Sequence, residues 1–464
     1  MAPAPSQTNV PAPFPGTGAP GGPGFVGVPG LTIPGAFAPT ITTIRGATLE
    51  FHPTLRLAGE YSDNFFQTSS RAEDNFRSIL GPGFTVLLNG ARTFGALSTT
   101  VDLVHDTAPN SGDDLKVFPS LSASVRYALS PRLALTLSDS FVRSDAASTL
   151  DRSGIRRGRQ TSNTNNLGLT VDWLLDQVAT QAYYRNVLFF SEDSNRGGSS
   201  SGGGSSSRDG EDSITHILGL NASTRIATDY IIRGGYEFSR TDSTGGDRTG
   251  DVGGDTTGHT VFASAARQIG LYGTGGLSSS YSFQTERDTR IWNVSLFGAY
   301  GLPTGLSVSA AVGYSMLDSD RDDSDGIVSA NVNASYRFAR AMFSVGVFQD
   351  FRQTAQTGQN FGTVETRSYF GSFLYQLTPF INSVLTASYT ENEPTGTGND
   401  SSGGRQKALS YGASLNWQVL RWLTASLQYT YTKQYGRDAF SQDIGGGTGN
   451  FAENRATLSL FATF

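Results

Sequence analysis

The sequence has no cysteine. That absence removes disulfides, zinc–thiolate sites and thiol nucleophiles together, and it is compatible with an oxidising compartment. No apolar run approaches the roughly 18 residues that a membrane-spanning helix needs. A basic surplus is missing too: 34 Lys and Arg stand against 40 Asp and Glu, a net charge of −6 that offers no footprint for nucleic acid. The opening stretch, MAPAPSQTNV, lacks the basic and apolar regions of a signal peptide. Because the remainder reads as exported, we expect a chain from which such a signal has been removed.

What is present points away from helices. The chain carries 56 glycines with abundant Ser, Thr and Asn, residues that weaken helix interiors. Only 37% of residues are apolar and the mean hydropathy is −0.25, low for a large dry core. Aromatics at 11% recur along the whole length, which argues against disorder.

Residues 1–46 differ from the rest. PAPFPGTGAPGGPGFVGVPGLTIPGAFAP is rich in Pro and Gly, nearly free of charge and unable to form a helix or central strand. It reads as an extended arm or linker, with Phe14, Phe25, Val26 and Phe37 available to dock it as a partial plug. GTGAPGG within it is no nucleotide loop, since no strand precedes it and Pro20 and Pro23 break any following helix.

Residues 47–464 alternate with a period of two. GLSVSAAVGYS (305–315) puts Leu306, Val308, Ala310, Val312 and Tyr314 on one face, and LTASLQYTYT (423–432) repeats the pattern. These runs extend for about ten residues, whereas strands of a two-sheet sandwich average about 5 to 6. Short connections (SPR 130–132, DQ 176–177, LR 420–421) take turns with long polar ones (191–213, 242–259, 317–326, 391–406). Both signals fit an all-β transmembrane antiparallel up-and-down barrel of about twenty strands, with eighteen as the alternative count.

The final stretch, ATLSLFATF, alternates to the last residue, so Leu458, Leu460 and Phe464 are expected to form the strand that closes the barrel on its first strand. The same stretch resembles the C-terminal targeting signal of bacterial outer-membrane barrels. That resemblance implies insertion by the barrel-assembly machinery.

Aromatic placement follows strand direction. Tyr61, Tyr236, Tyr281, Tyr314, Tyr429 and Tyr431 fall toward one end of the apolar face; Tyr127, Trp173, Tyr300, Tyr336, Tyr375 and Trp417 fall toward the other, as two interfacial girdles do. Two segments resist this reading: Asp139 shares an apolar face in LALTLSDSF, which a bulge would correct, and TQAYYRNVLFF (180–190) has no clean parity.

The opposite face carries Arg56, Glu60, Asp102, Arg126, Asp172, Arg225, Arg233, Glu237, Arg337, Asp350 and Arg352 among small polar residues, the expected pore lining. Arg is somewhat ahead of acid there, which favours neutral or weakly anionic solutes. Catalytic and metal motifs are nearly absent. DSDRDDSDG (318–326) has the 1, 3, 5 acid spacing of a calcium loop but Asp323 in place of its glycine and Ser329 in place of its last glutamate, and it reads as a hydrated acidic loop. His105, His216 and His259 read as rim polar residues, without a nucleophile or carboxylate pair to make an enzyme. No catalytic residue, metal or cofactor is expected.

The opening of the barrel carries a narrower signal. TLRLAGEYSDNFFQT (54–68), DNFRSILGPGFTVLL (74–88) and LSASVRYALSPRLALTLSDSF (121–141) resemble the β-barrel porins found beside exosortase and exopolysaccharide gene sets, where a strand, Tyr-x-Asp-Asn-aromatic, loop, Pro-Gly strand order recurs. The resemblance implies a porin-like outer-membrane channel for hydrophilic solutes, exported polysaccharide among them. The alternative is a structural anchor or scaffold for a partner or surface assembly. Outer-membrane lipids, the assembly machinery and a periplasmic export partner reached through residues 1–46 are the expected partners, and an even strand count leaves both termini periplasmic.

Overall fold

An alternating chain of this length satisfies its backbone only by pairing each strand with the next, and it does so throughout. The computed structural model describes residues 40–44, 47–67, 72–108, 115–145, 161–192, 212–244, 255–285, 288–319, 322–353, 363–395, 405–436 and 450–464. The strands are β1 (Thr40–Ile44), β2 (Ala47–Ser62), β3 (Asn75–Asn89), β4 (Thr93–Asp106), β5 (Lys116–Ser130), β6 (Leu133–Ser144), β7 (Thr161–Leu175), β8 (Val178–Glu192), β9 (Asp212–Ala227), β10 (Tyr230–Thr244) and β11 (Thr256–Ile269). There follow β12 (Gly273–Gln284), β13 (Thr289–Gly301), β14 (Leu306–Ser319), β15 (Asp322–Arg337), β16 (Ala341–Gln353), β17 (Thr363–Thr378), β18 (Ile381–Pro394), β19 (Gln406–Leu420), β20 (Leu423–Gly436) and β21 (Phe451–Thr463).

From β2 onward every strand pairs antiparallel with its chain neighbour, and β21 returns to β2, so twenty strands close a barrel. The described residues contain no helix.

The register fixes two faces. Leu57, Leu80, Leu103 and Val117 stand side by side on β2 to β5, and Leu460 of β21 meets Leu57 from the other edge. This outward face is apolar and open, with Leu296 at 69% exposure. One residue along the pleat, the same strands turn Arg56, Gly81 and Asp102 inward.

Turns at one end are tight. Asp176 takes φ 47° in the two-residue turn between Leu175 and Val178, and Gly305 takes φ 98° where a Cβ would collide with the Arg337 carbonyl. At the other end the strands run further than their alternation suggests. Of the stretch 317–326, read as a long loop, β14 claims residues through Ser319 and β15 resumes at Asp322. The ladder of backbone hydrogen bonds continues here although the outward side chains have become polar, so the period-two signal fades before the strand does. Asp318 extends along β14 with Arg290 at 3.7 Å. Asp320 lies outside the described residues.

The seam is built from both ends. β21 reaches only from Arg455 opposite Ser62 to Thr463 opposite Thr54. Below it β1 takes over the same edge of β2, pairing Thr40 with Phe51 through Ile44 with Ala47. Pro53 stands in the gap between the two: its carbonyl accepts the Phe464 N–H at 2.9 Å, and its missing N–H faces a place with no strand partner among the described residues. The Phe464 ring stacks on Trp422 at 5.7 Å. Of the residues read as an arm, 40–44 therefore form β1, and Phe14, Phe25, Val26 and Phe37 lie outside the described residues.

At the loop end the Tyr-x-Asp-Asn-aromatic stretch acts as a latch. Asp63 accepts hydrogen bonds from the Asn454 backbone and side-chain amides at 2.7 and 2.6 Å, and Asn64 donates to the Ala452 carbonyl at 3.0 Å. Ser62 and Gln67 each donate to Glu453 at 2.9 Å. Phe65, 1% exposed, lies under the Arg77 guanidinium at 5.2 Å.

Candidate functional site

By strand number, a barrel of twenty strands is expected to be wider than its own inward side chains can fill. Barrels of about 16 to 18 strands already enclose an aqueous channel. Arg126, pointing inward from β5, keeps 59% of its side chain exposed.

On β2 to β7 the inward face is organised by charge. Arg56 donates to Asp102 at 3.0 Å across the intervening β3. The contact is possible because β3 presents Gly81 at that point, where a Cβ would fall on the Asp102 carboxylate and lie 3.3 Å from Arg56 Cβ. Pro82, next along, coincides with a break in the β3–β4 ladder between Leu80 and Gly83. The Gly-Pro-Gly of the second strand thus carries the ion pair of its neighbours. Further round, Arg126 and Asp172 lie 3.8 Å apart and Gln181 donates to Asp172 at 2.8 Å.

At the loop end of the same sector the charges are buried. Arg77 binds Asp106 at 2.7 Å and Asp145 at 2.6 Å, and Lys116 reaches Asp106 at 3.0 Å. Asn75 donates a further bond to Asp106 at 2.9 Å. Glu60 stands 3.9 Å from Arg455. This cluster adjoins the seam latch and ties β3, β4 and β5 together.

From β8 to β17 the inward face is organised differently. Tyr183 lies flat across Gly219, Phe262 across Gly235, Phe297 across Gly276 and Phe370 across Gly346, each ring directly opposite its glycine in the register. A Cβ on Gly235 would lie 2.5 Å from Phe262, and one on Gly276 would lie 2.6 Å from Phe297. The third strand of each row completes it: Glu237 beyond Gly219, Asn221 beyond Gly235, Ala266 beyond Gly276 and Asn333 beyond Gly346. The Tyr183 hydroxyl donates to Glu237, and the Arg185 guanidinium lies 5.7 Å from the Tyr183 ring. Asp350 accepts from Ser315 at 2.8 Å, and Arg352 packs over the Phe348 ring at 4.1 Å. Arg225, Arg233 and Arg337 face inward toward the tight-turn end, with no ion pair among the described residues.

The register resolves TQAYYRNVLFF. Tyr184, Asn186, Leu188 and Phe190 face out, while Tyr183 and Arg185 face in. Aromatics occupy both faces there, which is what hid the parity. The four ring-and-glycine rows were invisible for a related reason: ring and glycine become neighbours only through the register of separate strands.

On the outward face Tyr61, Tyr281, Tyr314, Trp173, Tyr300 and Trp417 are exposed, as are Tyr236, Tyr429, Tyr127 and Tyr375. Tyr336 and Tyr431 share that face, Tyr431 stacked on Tyr411 at 6.3 Å. Asp139 also faces out. No bulge rescues it, since β6 pairs in unbroken register through this position; Asn165 of β7 donates to it at 2.9 Å instead. His216 and His259 face out as well, hydrogen-bonded to Tyr184 at 2.9 Å and Tyr236 at 2.8 Å. His105 stands exposed on β4, remote from both, so the three histidines do not converge.

No protein-family model and no curated protein matches the chain. Among solved structures it is similar to the siderophore receptor PirA from Acinetobacter baumannii, with a TM-score of 0.53 and 10% identity over 89% of this chain and 80% of the receptor. The FrpB iron transporter from Neisseria meningitidis aligns with a TM-score of 0.52 and 11% identity over 89% and 82% of the two chains. The siderophore receptor PirA from Pseudomonas aeruginosa gives 0.51 and 9% over 89% and 80%. At these identities the likeness is one of fold: a closed antiparallel β-barrel of the kind these receptors have.

Proposed function

We propose that the protein is a bacterial outer-membrane channel through which hydrophilic solutes, exported polysaccharide among them, pass along the barrel lumen. The observation that carries this reading is the contrast between the faces. The outward face is an apolar belt with aromatic residues toward both ends, suited to lipid. The inward face is largely polar, and some of its charged side chains stay open to the lumen, as Arg126 does.

The fold shared with outer-membrane receptors supports the location. It leaves the cargo open. An even strand count returns both ends of the barrel to the tight-turn side, which is periplasmic in such barrels. The girdle faces outer-membrane lipids, insertion falls to the barrel-assembly machinery, and the N-terminal arm is where a periplasmic export partner would engage.

Single-channel recording in planar bilayers tests it. The full chain, or a chain beginning at Thr40, is expected to give stable conductance steps. Silence of the full chain with conductance after removal of residues 1–39 would assign a plug to that segment. Silence of both, with heat-modifiable migration showing both barrels folded, would overturn the channel.

A further inference from the structure

The rows on β8 to β17 do more than shield glycine backbone. Each ring lies against the wall on the lumen side of the sheet; Phe370 retains 41% exposure in that position, while Tyr183 has the Arg185 guanidinium 5.7 Å from its ring. Glycine opposite is what makes this possible, because any larger residue would push the ring off the sheet. Beside three of the four rings the same row carries a hydrogen-bonding group: Glu237, which already accepts from the Tyr183 hydroxyl, Asn221, and Asn333, whose amide donates to Asn331 at 2.9 Å. The Asn221 side-chain oxygen is buried and has no hydrogen-bond partner among the described residues, so it meets a ligand only if its side chain turns toward the lumen.

We propose that these rows are stacking sites for the sugar rings of an uncharged carbohydrate chain; the inference rests on the channel reading above and names its substrate class. A pyranose ring has apolar C–H faces and a hydroxyl-bearing edge. An aromatic face complements the first and an amide or carboxylate the second. Three rows hold both kinds of group within three adjacent strands; the Phe297 row, whose third residue is Ala266, holds the ring alone. Four separated weak sites suit a chain that must be held and released repeatedly, since conduction needs binding strong enough to enter and weak enough to leave. An ion would be served better by the other sector, where charges project into the lumen.

The experiment records single channels of the full chain with cellohexaose, a six-residue β-1,4 glucose oligomer, in the chamber. Polyethylene glycol of similar mass, which lacks rings, is the control. Cellohexaose is expected to give resolvable current blocks. Phe262→Leu and Phe370→Leu are each expected to shorten the mean block between about twofold and tenfold, with Asn333→Ala acting in the same direction. Polyethylene glycol events should not change. A second measurement does not need conduction: saturation-transfer NMR from aromatic protons to cellohexaose, in an amine-oxide detergent free of sugar, with transfer reduced in both Phe variants. Variants that conduct normally but leave block times and saturation transfer unchanged would overturn the stacking sites while leaving the channel intact. Saturation transfer in a protein that never conducts would keep the stacking sites and remove the channel. Absence of both blocks and transfer in the folded wild type would also overturn the stacking sites.

Discussion

Two sectors of one lumen use the same device to opposite ends. On β2 to β7 a glycine in the middle strand, Gly81, lets Arg56 and Asp102 meet across it. On β8 to β17 a glycine in the middle strand lets an aromatic ring lie flat, with an amide or carboxylate on the far side in three of the four rows. A missing side chain is worth whatever its neighbours place in the space. The first sector spends it on charge pairing near the seam, and the second on a flat apolar surface away from it.

The contrast breaks most sharply at Arg77. Replacing it with Met would leave Asp106 and Asp145 buried without their shared cation. We expect a loss of about 3 to 5 kcal/mol, read as a lower urea midpoint for barrels refolded into vesicles. Gly346→Val attacks the second sector by driving Phe370 off the wall; we expect about 1 to 3 kcal/mol of destabilisation and a smaller single-channel conductance. If the conductance stayed the same, the ring would not border the conducting path. Arg56→Ala is a milder change because the pair is half exposed. Its stability cost should not exceed about 1 kcal/mol, while the reversal potential in a salt gradient should move toward cation preference. Smallest of all is Asn165→Leu on the outward face, which strips Asp139 of its donor at a cost of about 0 to 1 kcal/mol by the same unfolding measurement.

Much of the barrel was legible because burial is reversed here. The outward side chains must be apolar and the inward ones polar, so a period of two in the sequence marks each strand directly. The strand ends were not legible: β14 and β15 run into 317–326 although their outward residues there are Asp and Gly, since backbone pairing does not require apolar side chains. The seam latch was visible only as a resemblance in Tyr61 to Phe65; its partners Asn454 and Glu453 lie almost the whole chain away. The charged lining could be listed by parity. That Arg56 belongs with Asp102, or Phe370 with Gly346, depends on a register that no single segment encodes.

One feature of the closure bears on how the molecule is made. Joining the first long strand to the last demands the largest loop of any pairing in the chain, and such contacts form late. Because β1 already covers Ala47 to Phe51, only the nine residues from Thr54 to Ser62 must wait for the arriving C-terminus. The unfinished edge is thereby kept short during insertion, and the step that completes the cylinder is a brief stitch between two ends, one of them already hemmed.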